Sequence, residues 1–361
     1  MIEALATLNA ALEMNKVGKH VKAVKLFHHA LALSPRHPDI LTHYGEFLEA
    51  TEQNLLEADY QYSRALIYSP NHNRALQNRQ RTSPLVDELD VTYLKAMDAK
   101  RDKLLNIPGS SPGLRRIKKE AYFQHIYHSL GIEGNTMSLA QTRMIVETRM
   151  AVGGKSIMEH NEVLGLDAAL KYINSSLVHR IGEITMDDVL EIHRRVLGFV
   201  DLFEGGRLRS TQVFVGNHIP PGPSEVQVRM NEFIKWLNDP HTLRLHPIKF
   251  AALAHYKLVY IHPFSDGNGR TSRLLMNLIL MQAGYPPVIV RKQDRLKYYE
   301  CIQRANEGDV RPFIRFIAQC AEQTLDVYLW ATTDQGTSIP ALAQEDDGKT
   351  IIVDQHDCDV V

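Results

Sequence analysis

Four positions in the first eighty residues recur at one fixed interval. Ala23, Phe27, Ala30 and Pro35 return as Ala58, Tyr62, Ala65 and Pro70, every pair 35 apart. The run Ala30-Leu-Ala-Leu-Ser-Pro-Arg-His aligns with Ala65-Leu-Ile-Tyr-Ser-Pro-Asn-His. A period of this size means stacked units, each too small to bury its own apolar face. The small residues let two helices approach, the aromatic ring fills the gap, and proline closes the second helix of each unit. Gly18 and Gly45 fall where a turn or a close helix contact is needed. Residues 1–81 are therefore expected to form two helical hairpins, with the next helix packed on them, because two repeats cap themselves poorly.

This pattern resembles the tetratricopeptide repeat, although the period is one residue longer than the roughly 34 of that family and its tryptophan is missing. Thr82-Ser83-Pro84 marks the start of a helix running to about Leu105, with Leu85, Leu89, Tyr93, Ala96 and Met97 on one face. Asn106 to Gly113, rich in Pro, Gly and Ser, breaks it. Residues 82–113 thus form a linker helix and loop. From 114 to 330 the pattern is helical almost throughout, which makes the fold class all-α. The exception is Arg209 to Gly216, β-branched and aromatic, which predicts a short β-hairpin. Residues 331–361 are polar and acidic and are expected to be disordered.

The formal net charge is −1, so no electrostatic footprint for nucleic acid stands out. The basic run Arg115-Arg116-Ile117-Lys118-Lys119 is expected to be a solvated helix face. Three widely spaced cysteines, Cys301, Cys320 and Cys358, suggest free thiols rather than a disulfide framework or zinc site. No secretory signal opens the sequence and no apolar run is long enough to span a bilayer, so any membrane anchor is expected to lie outside it.

The chemistry concentrates in His262-Pro-Phe-Ser-Asp-Gly-Asn-Gly-Arg270. Gly267-Asn268-Gly269 is a flexible turn entering a helical run, which aims backbone N–H groups and the positive helix end at one point: an anion cradle. Arg270 and Arg273 lie three apart on the first turn of that helix and can reach phosphate oxygens from the same side. Asp266 adjoins the cradle, where a carboxylate can hold Mg²⁺ beside phosphates. His262 is suited to accept a proton near neutral pH. These parts describe phosphoryl or nucleotidyl transfer.

The same segment resembles the Fic-domain motif, with no departure at His262, Phe264, Asp266, Gly267, Asn268, Gly269, Arg270 or Arg273. With the repeats in front, the chain is similar to the metazoan Fic-domain protein adenylyltransferases. The resemblance implies that His262 deprotonates a Ser, Thr or Tyr hydroxyl of a target protein, which attacks the α-phosphorus of ATP. Asp266 would hold Mg²⁺, or Mn²⁺ in its place. Gly267, Asn268 and Gly269 would cradle the phosphates, Arg270 would hold the phosphate chain, and Arg273 would meet the γ-phosphate. Phe264 would anchor the loop in the core. The kinase branch of the family carries lysine where this sequence has Gly269, so glycine favours AMP transfer.

Ser129 and Glu133 are four apart and share a helix face, and Gly134 suits a helix end. The segment resembles the inhibitory helix of Fic proteins. That implies an ion pair of Glu133 with Arg273 in the γ-phosphate position, and a second, catalytic role for Glu133 in removing AMP. The resemblance also implies that Val215, on a flap over Thr211–Val215, packs near the adenosine, that Tyr299 and Asn306 recognise adenine, and that Ile157 is a dimer contact. It points to heat-shock chaperones of the BiP type as targets. It points to the endoplasmic reticulum as the compartment, with a cytosolic or nuclear-envelope pool as the alternative. The sequon Asn174-Ser175-Ser176 agrees with a lumenal location. Two other functions remain open: a chaperone-binding scaffold that merely senses nucleotide, and a dedicated phosphodiesterase that removes AMP.

Overall fold

The computed structural model describes residues 1–333. Fourteen α-helices run through them. The first four are α1 (Ile2–Lys16), α2 (His20–Leu33), α3 (Pro38–Thr51) and α4 (Leu55–Tyr68). They form two antiparallel hairpins around Phe27, Phe47 and Tyr62. Gly18 makes the first turn with φ of +74°. Gly45 lets α3 meet α4, since a Cβ there would lie 2.5 Å from the ring of Tyr62.

The next helix departs from expectation. α5 spans Asn73–Leu105, 33 residues, with Pro84 inside it rather than at its start. It runs unbroken through the boundary expected between 81 and 82. Proline removes one backbone hydrogen bond, but the carbonyl it frees belongs to Gln80, which is exposed and can bond water. Packing holds both halves. Ala75 closes the repeats, Thr82 donates to buried Asp59 at 2.6 Å, and Leu94, Met97 and Leu104 enter the main core.

The remaining helices are α6 (Pro112–Ile132), α7 (Leu139–Thr148), α8 (Ile157–Tyr172), α9 (Met186–Leu197), α10 (Pro223–Leu237), α11 (Pro247–Ile261), α12 (Asn268–Gln282), α13 (Arg295–Asn306) and α14 (Arg311–Ala331). They share one core, with α12 buried on nearly every side. Residues 262–267 form the loop from α11 into α12. α14 holds α5 through Arg315–Asp90 at 2.7 Å and Tyr93–Glu322 at 2.7 Å. The repeats dock on α13 and α14 through Arg304–Glu57 at 3.0 Å and Arg311–Asp59 at 2.7 Å.

The basic run on α6 is solvated, with only Leu114 and Ile117 turned inward. Cys301 and Cys320 are buried free thiols, and Cys358 lies outside the described residues. The expected disordered tail also lies outside them from residue 334, while Ala331 still belongs to α14. No helix among the described residues is long and apolar enough to cross a membrane.

Candidate active site

His262 ends α11 in the left-handed region, with φ of +50°. A non-glycine residue costs about 1 kcal/mol or more there, so the surroundings must impose it. They do so through Arg209, whose guanidinium donates to the carbonyls of His262 (2.7 Å), Thr211 (2.8 Å) and Pro221 (2.6 Å), while its backbone N–H donates to Pro263. Nδ1 of His262 lies 3.2 Å from the carbonyl oxygen of Val259. A carbonyl only accepts, so Nδ1 carries the hydrogen and Nε2 is left able to accept a proton. Burial, the largest cause, holds the pKa of His262 below that of an ordinary histidine.

Phe264 is fully buried and stacks on His193, with ring centroids 3.7 Å apart and planes 8° from parallel. Nδ1 of His193 accepts from the N–H of Gly206, so its Nε2–H donates to the carbonyl of Asp266 at 2.9 Å. Burial lowers its pKa to about 4, which keeps it neutral in this donor role. The Asn268 side chain closes the loop by pairing with both backbone groups of Phe264. Its contribution to a cradle is therefore its backbone N–H. Gly267 caps α12 with φ of +75°, which only glycine adopts freely. The first N–H groups of α12 have no carbonyl before them and point into the cradle.

The Asp266 carboxylate is 68% exposed and accepts from the Gly267 N–H (2.6 Å) and from Arg270 (2.9 Å). No cluster of three or more His, Cys, Asp or Glu among the described residues could enclose a metal. A Mg²⁺ that takes most of its ligands from phosphate and water needs no such cluster, so one open carboxylate beside an anion cradle fits it. Arg270 is less open than expected. It is buried, and its guanidinium lies between Asp266 and Glu162 of α8, the latter at 3.2 Å.

Arg273, one turn further on, is also buried. Its Nε donates to the Ser129 hydroxyl (2.9 Å) and its Nη2 to the Ser129 carbonyl (2.8 Å) and to Oε1 of Glu133 (2.6 Å). Burial opposes its charge, but Glu133 and Tyr298 outweigh burial and its pKa is raised. Glu133 caps α6, and Gly134 turns the chain with φ of +98°. The Glu133 carboxylate reaches the cradle itself: a Cβ on Gly269 would lie 2.4 Å from Oε1.

The hairpin expected at Thr211–Val215 reduces to one isolated bridge, Val215 with His218. Arg209 spends its hydrogen bonds fastening this segment to the motif loop, and a lone turn leaves no neighbouring strand to pair with. Tyr298 is buried against Arg273 and His255 rather than open to a ligand. Tyr299 is 40% exposed, and its pKa is raised by burial first and by the Glu133 charge second, which places it near the cradle. Oδ1 of Asn306, two turns on, is buried without a partner among the described residues. Ile157, the first residue of α8, is 79% exposed.

Comparison with known proteins agrees with this geometry. The Fic/DOC family profile matches residues 183–280, which include the motif loop. The chain is 60% identical over 354 residues to the protein adenylyltransferase Fic of Culex quinquefasciatus, covering 98% of this chain and 71% of that one. The chain belongs to the Fic family of protein adenylyltransferases. The Drosophila melanogaster Fic protein is 61% identical over 342 residues, covering 95% of this chain and 69% of its own length. The solved structure of a Caenorhabditis elegans Fic-1 fragment superposes with a TM-score of 0.84 at 46% identity, covering 91% of this chain and 98% of that one. Within this Fic chain, His193, Arg209 and Glu162 support the site, and no local sequence pattern marks them for it. Each is a single residue on an unremarkable stretch, and only their partners across the fold reveal what they do.

Proposed function

We propose that this ATP-dependent adenylyltransferase is held in check by Glu133 and works in both directions. The observation that carries the reading is the ion pair of Glu133 with Arg273 directly over Gly269. The carboxylate and the γ-phosphate of ATP compete for the same guanidinium, and two anions cannot share it without strong repulsion.

With Glu133 moved aside, the triphosphate lies across the N-terminus of α12. Nε2 of His262 takes the proton of a target Ser, Thr or Tyr hydroxyl. That oxygen bonds to the α-phosphorus, the bond to the β-phosphate breaks, and pyrophosphate leaves. Asp266 would hold Mg²⁺ or Mn²⁺, which would supply neutralisation of phosphate charge. Arg270 moves from Glu162 to the phosphate chain. Adenine lies by Tyr299 and Asn306, with Val215 on the adenosine side.

In the reverse task Glu133 accepts a proton from water as that water attacks the phosphorus of the modified target. The bond to the target oxygen breaks, and protonated His262 returns a proton to it. Holding a carboxylate beside the cradle thus blocks one reaction and serves the other.

The targets are chaperones of the BiP type, docked on the repeat hairpins of residues 1–81, which act as tetratricopeptide repeats. The enzyme is a homodimer through exposed Ile157 and its exposed neighbour Met158. It resides in the endoplasmic reticulum, anchored by a segment outside this sequence. An exposed sequon at Asn174 supports a lumenal site. Mass spectrometry of a BiP-type chaperone incubated with ATP and Glu133→Gly protein tests the reading. One added AMP is expected, which wild-type protein then removes. A chaperone of unchanged mass contradicts it.

A further inference from the structure

One cavity takes no part in this chemistry. It has a volume of about 560 Å³ and lies where the end of α5 meets the first turns of α6. Leu104 and Leu105 of α5, Leu114 and Ala121 of α6, Leu170 of α8 and the chain near Met281 of α12 form its apolar walls. Lys118 lines it as well, exposed and, among the described residues, without an ion pair or hydrogen bond of its ammonium group. A volume in the range of about 300–1,000 Å³ is that of a small-molecule site. The chamber is mostly apolar, with the polar atoms of His125 and exposed Asn174 in its wall and Lys118 as a cation unpaired among the described residues. It complements an amphiphile with a single apolar chain and one carboxylate, and it is too small for a two-chain lipid.

The cavity is lined by both helices that lead to the Glu133–Arg273 pair, α6 and α12, but by neither residue of the pair. α6 lines it at one end and carries Ser129 and Glu133 at the other. His125 is in its wall, one turn before Ser129. Nε2 of His125 lies 3.5 Å from Asn277, which is one turn beyond Arg273 on α12. Glu133 caps α6, so a ligand packed against His125 steadies the end of the helix from which the carboxylate reaches Arg273, and it favours the closed pair to the extent that it binds that arrangement more tightly.

We propose that this cavity binds a free long-chain fatty acid, carboxylate at Lys118 and chain between α5, α6 and α12, and that the bound acid reinforces the contact of Glu133 with Arg273. The regulatory half rests on the reading of Glu133 as a brake. The binding half stands without it.

Calorimetric titration of the whole chain with palmitate, below its micelle concentration, tests the site. Palmitate methyl ester is the neutral control. Saturable binding of palmitate is expected, weaker for the ester, reduced about fivefold by Lys118→Glu and lost in Ala121→Trp, which fills the chamber. Lys118→Glu alters only an exposed side chain, so its result stands even if Ala121→Trp unfolds. No saturable binding overturns the proposal, as does equal binding of acid and ester that Lys118→Glu leaves unchanged. Palmitate is also expected to slow auto-AMPylation by the wild type and to leave Glu133→Gly unaffected. Unchanged or faster auto-AMPylation overturns the regulatory half. If wild type and Glu133→Gly are equally active without palmitate, the brake reading fails, and the titration alone then decides the site.

Discussion

Nη2 of Arg273 donates to Glu133 at 2.6 Å and to the Ser129 carbonyl at 2.8 Å, so one guanidinium nitrogen ties both ends of the last turn of α6 to the catalytic helix. The pair is lopsided. Arg273 is enclosed, while Glu133 keeps 30% of its side chain exposed. The carboxylate can therefore swing away into solvent, whereas the arginine cannot follow. The moving part of the proposed brake is the glutamate.

Ser129 fixes the orientation of Arg273 from the other side. Ser129→Ala leaves a buried charged donor, Nε, without its acceptor. The unfolding free energy should fall by about 1–3 kcal/mol in chemical denaturation. An unchanged midpoint would show that the hydroxyl contributes nothing.

His262→Ala should lower AMP transfer and AMP removal together, by about a hundredfold to ten-thousandfold. ATP affinity, read by calorimetry on the Glu133→Gly background, should stay within about twofold, since the proton acceptor need not hold nucleotide. If only one direction is lost, His262 does not serve both.

Arg209→Lys retains a charge but cannot span three carbonyls as a guanidinium does. The left-handed geometry of His262 loses its support. Transfer by the Glu133→Gly variant should drop about tenfold or more when the added Arg209→Lys misplaces the base. ATP affinity should be little altered. Equal loss in both would place Arg209 in nucleotide binding instead.

His193 sets a pH dependence of stability. Its folded pKa is about 4 and its unfolded value is that of ordinary histidine, 6.5. Between those values the unfolded chain binds a proton that the folded chain refuses, so stability rises with pH across the window. Lowering the pH from 6.5 should cost progressively more, reaching about 3 kcal/mol from this residue near pH 4. Buried His125, also lowered to about 4 by burial and then by Arg273, adds in the same direction. Denaturation midpoints at pH 7 and pH 5 check this, and replacing His193 with Phe should flatten the slope.

The helical repeats, the motif loop and the helix bearing Glu133 were legible because each is local in sequence. A 35-residue period, a glycine turn before a helix, and Ser129 one turn before Glu133 all declare themselves within a short window. Two readings failed where local preference met tertiary packing. Pro84 looked like a helix start, yet contacts on both sides carry α5 straight through it. Thr211 to Val215 has β-forming residues, but the described residues hold no second strand for it to join, and Arg209 holds it as a loop. The pairing of Arg270 with Glu162 joins residues 108 positions apart, a contact that no single-sequence pattern encodes.

The central claim is that Glu133 occupies the place the γ-phosphate needs. Initial rates of AMP incorporation from α-labelled ATP, measured for wild type and Glu133→Gly under identical conditions, test it most directly. The ion pair predicts a rise of about 5- to 150-fold, the range of a coupling energy of a few kcal/mol. An unchanged or lower rate in Glu133→Gly would contradict it.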